Sequence, residues 1–196
     1  MNGSYFQKDL DVISASLACV NTQTFERWIS TVCAALKNGK KIVITGAGKN
    51  YPICQKVAET MQSMGLQVYA LGAYEALHGS MGIICEDDVL IMLSKSGETK
   101  ELITLLHALR GKAKSYIISF TRESTLSGMC DEQIILDLEA EGDLWNLLPN
   151  NSTAVSLILL QTLAVQVQSK LQLDLQKDFL ANHPGGNIGA AYREKE

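Results

Sequence analysis

Between residues 41 and 136 this chain alternates short runs that are apolar almost throughout with longer segments whose apolar residues recur at helical spacing. The short runs fall at residues 41–45, 67–71, 88–93, 115–120 and 133–136 and are rich in Val, Ile and Leu. A strand exposed on one side alternates apolar and polar residues; a run without that alternation needs cover on both faces. Residues 50–64, closed by Gly65, and residues 98–110 read as helices that supply such cover. The pattern implies a doubly wound α/β fold: a five-stranded parallel sheet between helical layers, as a three-layer α/β/α sandwich. Ligands of such sheets bind beyond the carboxyl ends of the strands, where the strand order reverses.

Helices flank the alternation. Leu10, Ile13 and Leu17 share one face of a first helix; Phe25, Ile29 and Val32 share one face of a second, which Gly39 is placed to stop. A long helix over residues 152–171 carries Val155, Leu157, Ile158, Leu159, Leu160, Leu163, Val165 and Val167, so it is apolar on nearly every side. Such a helix needs cover all round, which in a chain of 196 residues points to a subunit interface. Its most apolar stretch, 154–167, is interrupted by Gln161, Thr162 and Gln166 and reads as too short and too polar to span a membrane. No Pro/Gly/Ser-rich linker divides the chain. One domain over 1–196 is expected, with N-terminal helices at 1–39, the α/β core at 40–140 and C-terminal helices at 141–196.

A net charge of −4 argues against nucleic acid as a partner, because phosphate backbones demand a basic surface; a small anion needs only a local site. Cys19, Cys33, Cys54, Cys85 and Cys130 form no CxxC and read as reduced, mostly buried thiols, neither a disulfide framework nor a zinc site. The N-terminus lacks the basic start and apolar run of a signal peptide, so a cytoplasmic protein with no membrane partner is expected.

Two strand ends carry unusual loops. After the first strand comes Thr45-Gly46-Ala47-Gly48-Lys49-Asn50, in which two glycines allow close backbone approach to an anion and Lys49 adds a cation at a helix start. It is no Walker A loop, so a nucleoside triphosphate is not indicated. After the third strand comes Ser94-Lys95-Ser96-Gly97-Glu98-Thr99, with three hydroxyls at another helix start. That chemistry suits a phosphate dianion. Capping alone, by Ser96 or Gly97, would need only one such residue.

DDVLIML followed by SKSGET resembles the signature of sugar isomerase (SIS) domains, which bind phosphosugars. GAGKN resembles their first ligand loop. EALHGSMGI, LLPNNST and ANHPGGNIG resemble the arabinose-5-phosphate isomerase branch, and the match runs over residues 41–189. The resemblance implies a flavodoxin-like topology, a phosphosugar ligand, no cofactor and no metal, and a homotetramer whose active sites are shared between subunits. It implies that Ser94, Ser96 and Thr99 hold the phosphate, with Gly97 allowing close approach, and that Gly46, Gly48, Asn50, Glu75 and His78 also bind substrate. Lys49, Glu98, Glu141 and His183 are the catalytic residues it implies, with Glu139 a competitor for the place of Glu141 because LEAEGD allows a two-residue slip.

The implied reaction interconverts D-arabinose 5-phosphate and D-ribulose 5-phosphate. It moves a proton between adjacent carbons through an enediol(ate), which requires a base at the carbon and a cation or donor at the oxyanion. Glu98 or Glu141 is expected as that base, His183 in ring opening or proton shuttling, and Lys49 on the oxyanion or phosphate. Departures cluster at the sugar end: Asn50 stands where serine is usual, Asn150 and Asn151 replace hydroxyls, and HGSMG lacks the family's carboxylate. An isomerase of another sugar phosphate and a non-catalytic phosphosugar-binding module are the rival readings. Many relatives continue into cystathionine-β-synthase regulatory modules, whereas only a short charged tail follows here, so an isomerase domain alone is expected. Lipopolysaccharide or capsule sugar synthesis is the setting that the family suggests.

Overall fold

Successive strand residues enter two different apolar cores, one on each face of a single sheet. The computed structural model, which describes residues 6–193, shows why. Helices α1 (Gln7–Ala18) and α2 (Thr22–Lys37) precede β1 (Ile42–Gly46), α3 (Asn50–Gln62), β2 (Val68–Gly72) and α4 (Ala73–Leu77). Then come β3 (Val89–Leu93), α5 (Lys100–Leu109), β4 (Lys114–Ser119), α6 (Thr125–Met129), β5 (Glu132–Ile135), α7 (Asn151–Leu171) and α8 (Gly186–Arg193). Ile42, Ile44, Val89, Ile91 and Leu93 pack with Trp28, Ile29, Val57, Met61, Val155 and Leu159 from α2, α3 and α7. Val43, Leu90, Met92 and Ile117 pack on the other face with Ala73, Ala76, Leu102, Leu105 and Leu109 from α4 and α5. Full burial of each large aliphatic side chain contributes about 1.5–3 kcal/mol, so these two faces dominate the stability.

The five strands are all parallel, in the order β2-β1-β3-β4-β5, which is the flavodoxin-like arrangement. The chain leaves β1 for the edge at β2, then returns past β1 to β3, so the order reverses between β1 and β3. Register places Gly46 opposite both Gly72 and Leu93. Three loops therefore open side by side at the carboxyl edge. At the other edge Asp88, fully buried, accepts hydrogen bonds from the N–H groups of Lys41 and Cys85 at 2.8 and 2.7 Å and pairs with Lys41 Nζ at 3.0 Å. Burial alone would raise its pKa; these donors outweigh that and hold it below the ordinary value.

The five strands and the long helices lie within one or two residues of their expected positions. The short helices α4 and α6 leave no mark in the sequence pattern, because five residues make little more than one turn, too few to show helical periodicity. Two expectations need correction. α7 is 21 residues and is long and apolar enough, by length and composition, to cross a membrane, so it is not too short for that. It acts here as a core helix: Val155, Leu159, Leu160, Leu163 and Val167 are buried, but Ile158 and Val165 on its outer side are 40% and 57% exposed, so the chain itself does not cover it completely. The cysteines are all free, yet only Cys33 and Cys54 are buried; Cys19 and Cys85 are exposed. Burial pushes the Cys54 thiol up to about 12, leaving it inert at neutral pH.

Candidate active site

The loop between β3 and α5 folds around its own hydroxyls. Ser94 is buried, and its Oγ lies 2.7 Å from Thr99 Oγ1 while accepting a bond from the Gly97 N–H at 3.1 Å. Ser96, exposed, accepts from the Glu98 N–H at 3.1 Å. α5 starts later than expected: Thr99 is its N-cap, with no side-chain cap bond, because the turn from Ser94 to Gly97 spends the earlier hydroxyls locally. The first turn of α5 thus points its positive end at a rim of hydroxyls, an arrangement suited to an anion. Gly97 has φ +68°, and a Cβ there would overlap Ser124 Oγ and Cβ. Gly97→Ala is therefore expected to lower stability by about 2–4 kcal/mol and to weaken anion binding. Urea unfolding and a phosphate titration check this; a variant as stable as the wild type would refute it.

The loop after β1 faces this one. Gly48 has φ +57° with open space around it, and Lys49 beside it is exposed. Asn50 turns its amide to the Leu93 carbonyl at 3.3 Å, so the residue that replaces the usual serine braces the two loops together. Between this loop and α4 lies a cleft of about 300 Å³ lined by Gly46, Gly48, Tyr51, Tyr74, Glu75 and Glu101. The Glu75 carboxylate folds over Gly72, where a Cβ would overlap it. His78 is exposed and stacks on Tyr74 with ring centroids 4.5 Å apart.

Two further glutamates flank the hydroxyl loop. Glu98 accepts from the Thr125 N–H at 2.7 Å and from its hydroxyl at 2.8 Å, and these two bonds hold its pKa below the ordinary value. Glu141 is 1% exposed. Its carboxylate accepts from Lys95 Nζ at 2.5 Å, Ser152 Oγ at 2.6 Å, and the N–H groups of Asn150 and Ser152, each at 2.9 Å. It thereby caps the first turn of α7 from outside the helix. Burial would raise its pKa, but Lys95, Ser152 and Asn150 outweigh burial and hold it low. Glu139, two residues earlier, is exposed.

The SIS domain model matches residues 35–166. The chain belongs to the SIS domain family. Arabinose 5-phosphate isomerase KdsD of Pseudomonas aeruginosa is 35% identical over 160 residues, covering 80% of this chain and 48% of that protein. An uncharacterised Helicobacter pylori protein is 33% identical over 166 residues, covering 84% of this chain and 50% of its own length. The chain thus spans about half the length of these curated relatives. Among solved structures, E. coli CFT073 c3406, in complex with arabinose 5-phosphate, superposes with a TM-score of 0.80 at 24% identity, over 96% of this chain and 93% of that one.

Within this SIS domain, the residues singled out from sequence do not all meet. Gly46, Gly48, Lys49, Asn50, Glu75, Ser94, Ser96, Gly97, Glu98 and Thr99 lie on adjoining loops at the carboxyl edge of the sheet or on the short α4 beside them. Glu141 joins them through Lys95. His183 does not. Its neighbour Asn182 bonds the Ser63 carbonyl at 3.4 Å, at the far end of α3, about 20 Å along that helix from Asn50. His183 itself is held by the Phe179 carbonyl at 2.6 Å from Nδ1 and by that ring, 4.1 Å away. Sequence reasoning missed Thr125, which grips Glu98, and Tyr51, Tyr74 and Glu101 in the cleft. Glu101 carried a faint signal, lying one helical turn beyond Glu98. Thr125 carried none, because its place is set by how α6 lies against the loop.

Proposed function

We propose that this SIS domain is an aldose–ketose isomerase that interconverts D-arabinose 5-phosphate and D-ribulose 5-phosphate through an enediol(ate). The observation that carries the reading is the pair of glycine-hinged loops on either side of the β1/β3 reversal, one rimmed by hydroxyls and the other ending in Lys49. The relationship to KdsD, at 35% identity, supports this class of ligand, and c3406 shows the same fold holding arabinose 5-phosphate. Ser94, Ser96, Thr99 and the Gly97 backbone take the phosphate. Lys49 faces the oxyanion across the cleft, with Glu75 and His78 toward the sugar hydroxyls.

Hydrogen-bond capacity separates the two candidate bases. A carboxylate offers about four lone-pair sites. Glu141 accepts four bonds and is saturated, whereas Glu98 accepts two and keeps capacity for a proton. Glu98 is therefore the base, and Glu141 an anchor for Lys95 and α7. His183, set at the far end of α3, serves the site of a neighbouring subunit in a homo-oligomer, where it opens the ring or shuttles the proton. No redox cofactor is required for this proton transfer.

The test is conversion of arabinose 5-phosphate by the wild type and by subunit mixing. Lys49→Ala and His183→Ala are each expected to be inactive alone and to regain activity when unfolded and refolded together, because some sites then receive both intact residues. Absence of wild-type turnover, with thermal stabilisation by the sugar phosphate, would instead make the domain a binding module. Full activity in His183→Ala would remove that residue from the mechanism.

A further inference from the structure

We infer that Lys95 is a ligand-binding cation, held at the hydroxyl loop by Glu141 so that its free donors meet the phosphate; this rests on the phosphosugar reading above and adds a residue to it. Lys95 occupies the second position of Ser94-Lys95-Ser96-Gly97, between two of the hydroxyls that face the anion. Its backbone is fixed, since its carbonyl accepts from Ser119 Oγ at 3.1 Å, Thr121 Oγ1 at 3.2 Å and the Phe120 N–H at 3.0 Å. Its side chain crosses from the loop to the start of α7 and ends on Glu141.

The two ends of that ion pair are unlike. Glu141 is 1% exposed with all its bonding capacity used, whereas the Lys95 side chain is 47% exposed. An ammonium has three N–H donors and Glu141 takes one, which leaves two for solvent or ligand. The Lys95 amine is thus the end of the pair that a ligand can reach. Here a rigid buried carboxylate pins an otherwise freely rotating amine, which lowers the entropy lost when the amine engages an anion. Glu141 is in turn immobilised by Asn150 and Ser152, so α7, Lys95 and the hydroxyl loop form one connected cradle. Opposite charges also avoid a collision: without Lys95, the dianion would approach a carboxylate with no cation beside it.

Lys95→Met, Lys95→Arg and the double variant Lys95→Met/Glu141→Gln would be compared. The double variant leaves no unpaired buried charge if the single one unfolds. Dissociation constants for inorganic phosphate come from calorimetry, and KM and kcat from arabinose 5-phosphate turnover, each at two salt concentrations. Lys95→Met and the double variant are expected to raise both the phosphate dissociation constant and KM by about 10- to 100-fold, the loss of one charge-assisted hydrogen bond. kcat should change far less, the salt dependence of binding should flatten, and Lys95→Arg should recover most of the affinity. A folded double variant that binds phosphate like the wild type overturns the inference, even where turnover upholds the isomerase reading. Phosphate affinity that depends on Lys95 in a protein without turnover upholds the inference while the isomerase reading fails.

Discussion

Glu98→Gln is expected to lower kcat for arabinose 5-phosphate by roughly 10²- to 10⁴-fold, the range in which a positioned acid–base group contributes, with KM changed little. The substitution keeps the shape of the side chain and an acceptor for Thr125, whose hydroxyl can reorient, so the loop should stand. The pH dependence carries a second signature. As the proposed base Glu98 acts in its ionised form, and Thr125 depresses its pKa below the ordinary 4.5. Activity that depends on Glu98 is therefore present at neutral pH and lost only as pH falls through that depressed value. Thr125→Val removes the hydroxyl donor, so the acid limb of kcat/KM should move to higher pH while the enzyme remains active near pH 7. A Glu98→Gln enzyme with wild-type kcat, or an acid limb indifferent to Thr125, would take the proton transfer away from Glu98.

Glu141→Ala is expected to lower stability by about 2–4 kcal/mol in urea unfolding, the same range as Gly97→Ala. Loss of the helix cap accounts for about 1 kcal/mol, and buried N–H groups left without an acceptor for about 1–3 more. Lys95 adds less, because its half-exposed amine can return to water. The effect should depend on pH in a definite direction. The folded pKa of Glu141 lies below the ordinary 4.5, so its stabilisation is fully present above that value and disappears as pH falls through the folded one. The difference between wild type and variant should thus shrink as pH falls below 4.5 and through the depressed folded value. Glu139→Ala, on the exposed neighbour, should stay within about 0.5 kcal/mol of the wild type at every pH. Equal losses for the two glutamates would show that the buried carboxylate does not hold α7.

Much of the fold could be read from the chain alone because its signals are local and periodic. Five runs without alternation announce strands covered on both faces, and Gly46 and Gly65 mark where the first strand and the helix after it end. The hydroxyls of the β3–α5 loop were legible for the same reason, since Ser94, Ser96 and Thr99 lie within six residues of one another. The start of α5 was less so: the turn at Gly97 uses the hydroxyls that capping rules would assign to the helix.

What spacing along the chain does not encode is partnership across it. Glu98 meets Thr125, 27 residues on, and Lys95 meets Glu141, 46 residues on. Both contacts exist only because the β2-β1-β3-β4-β5 order brings separate loops to one edge. The slip between Glu139 and Glu141 has the same character. Their sequence surroundings are nearly equivalent, but α7 begins where only one of them can be buried against Ser152. His183 shows the converse, for its motif is distinctive and yet the fold carries it to the far end of α3. Sequence by itself determined the architecture and the residue types at the loops, because periodicity and glycine placement act locally. Tertiary structure alone decided which charges pair, which carboxylate keeps unused acceptor capacity and which residues the fold sets apart, because those depend on the order in which strands assemble.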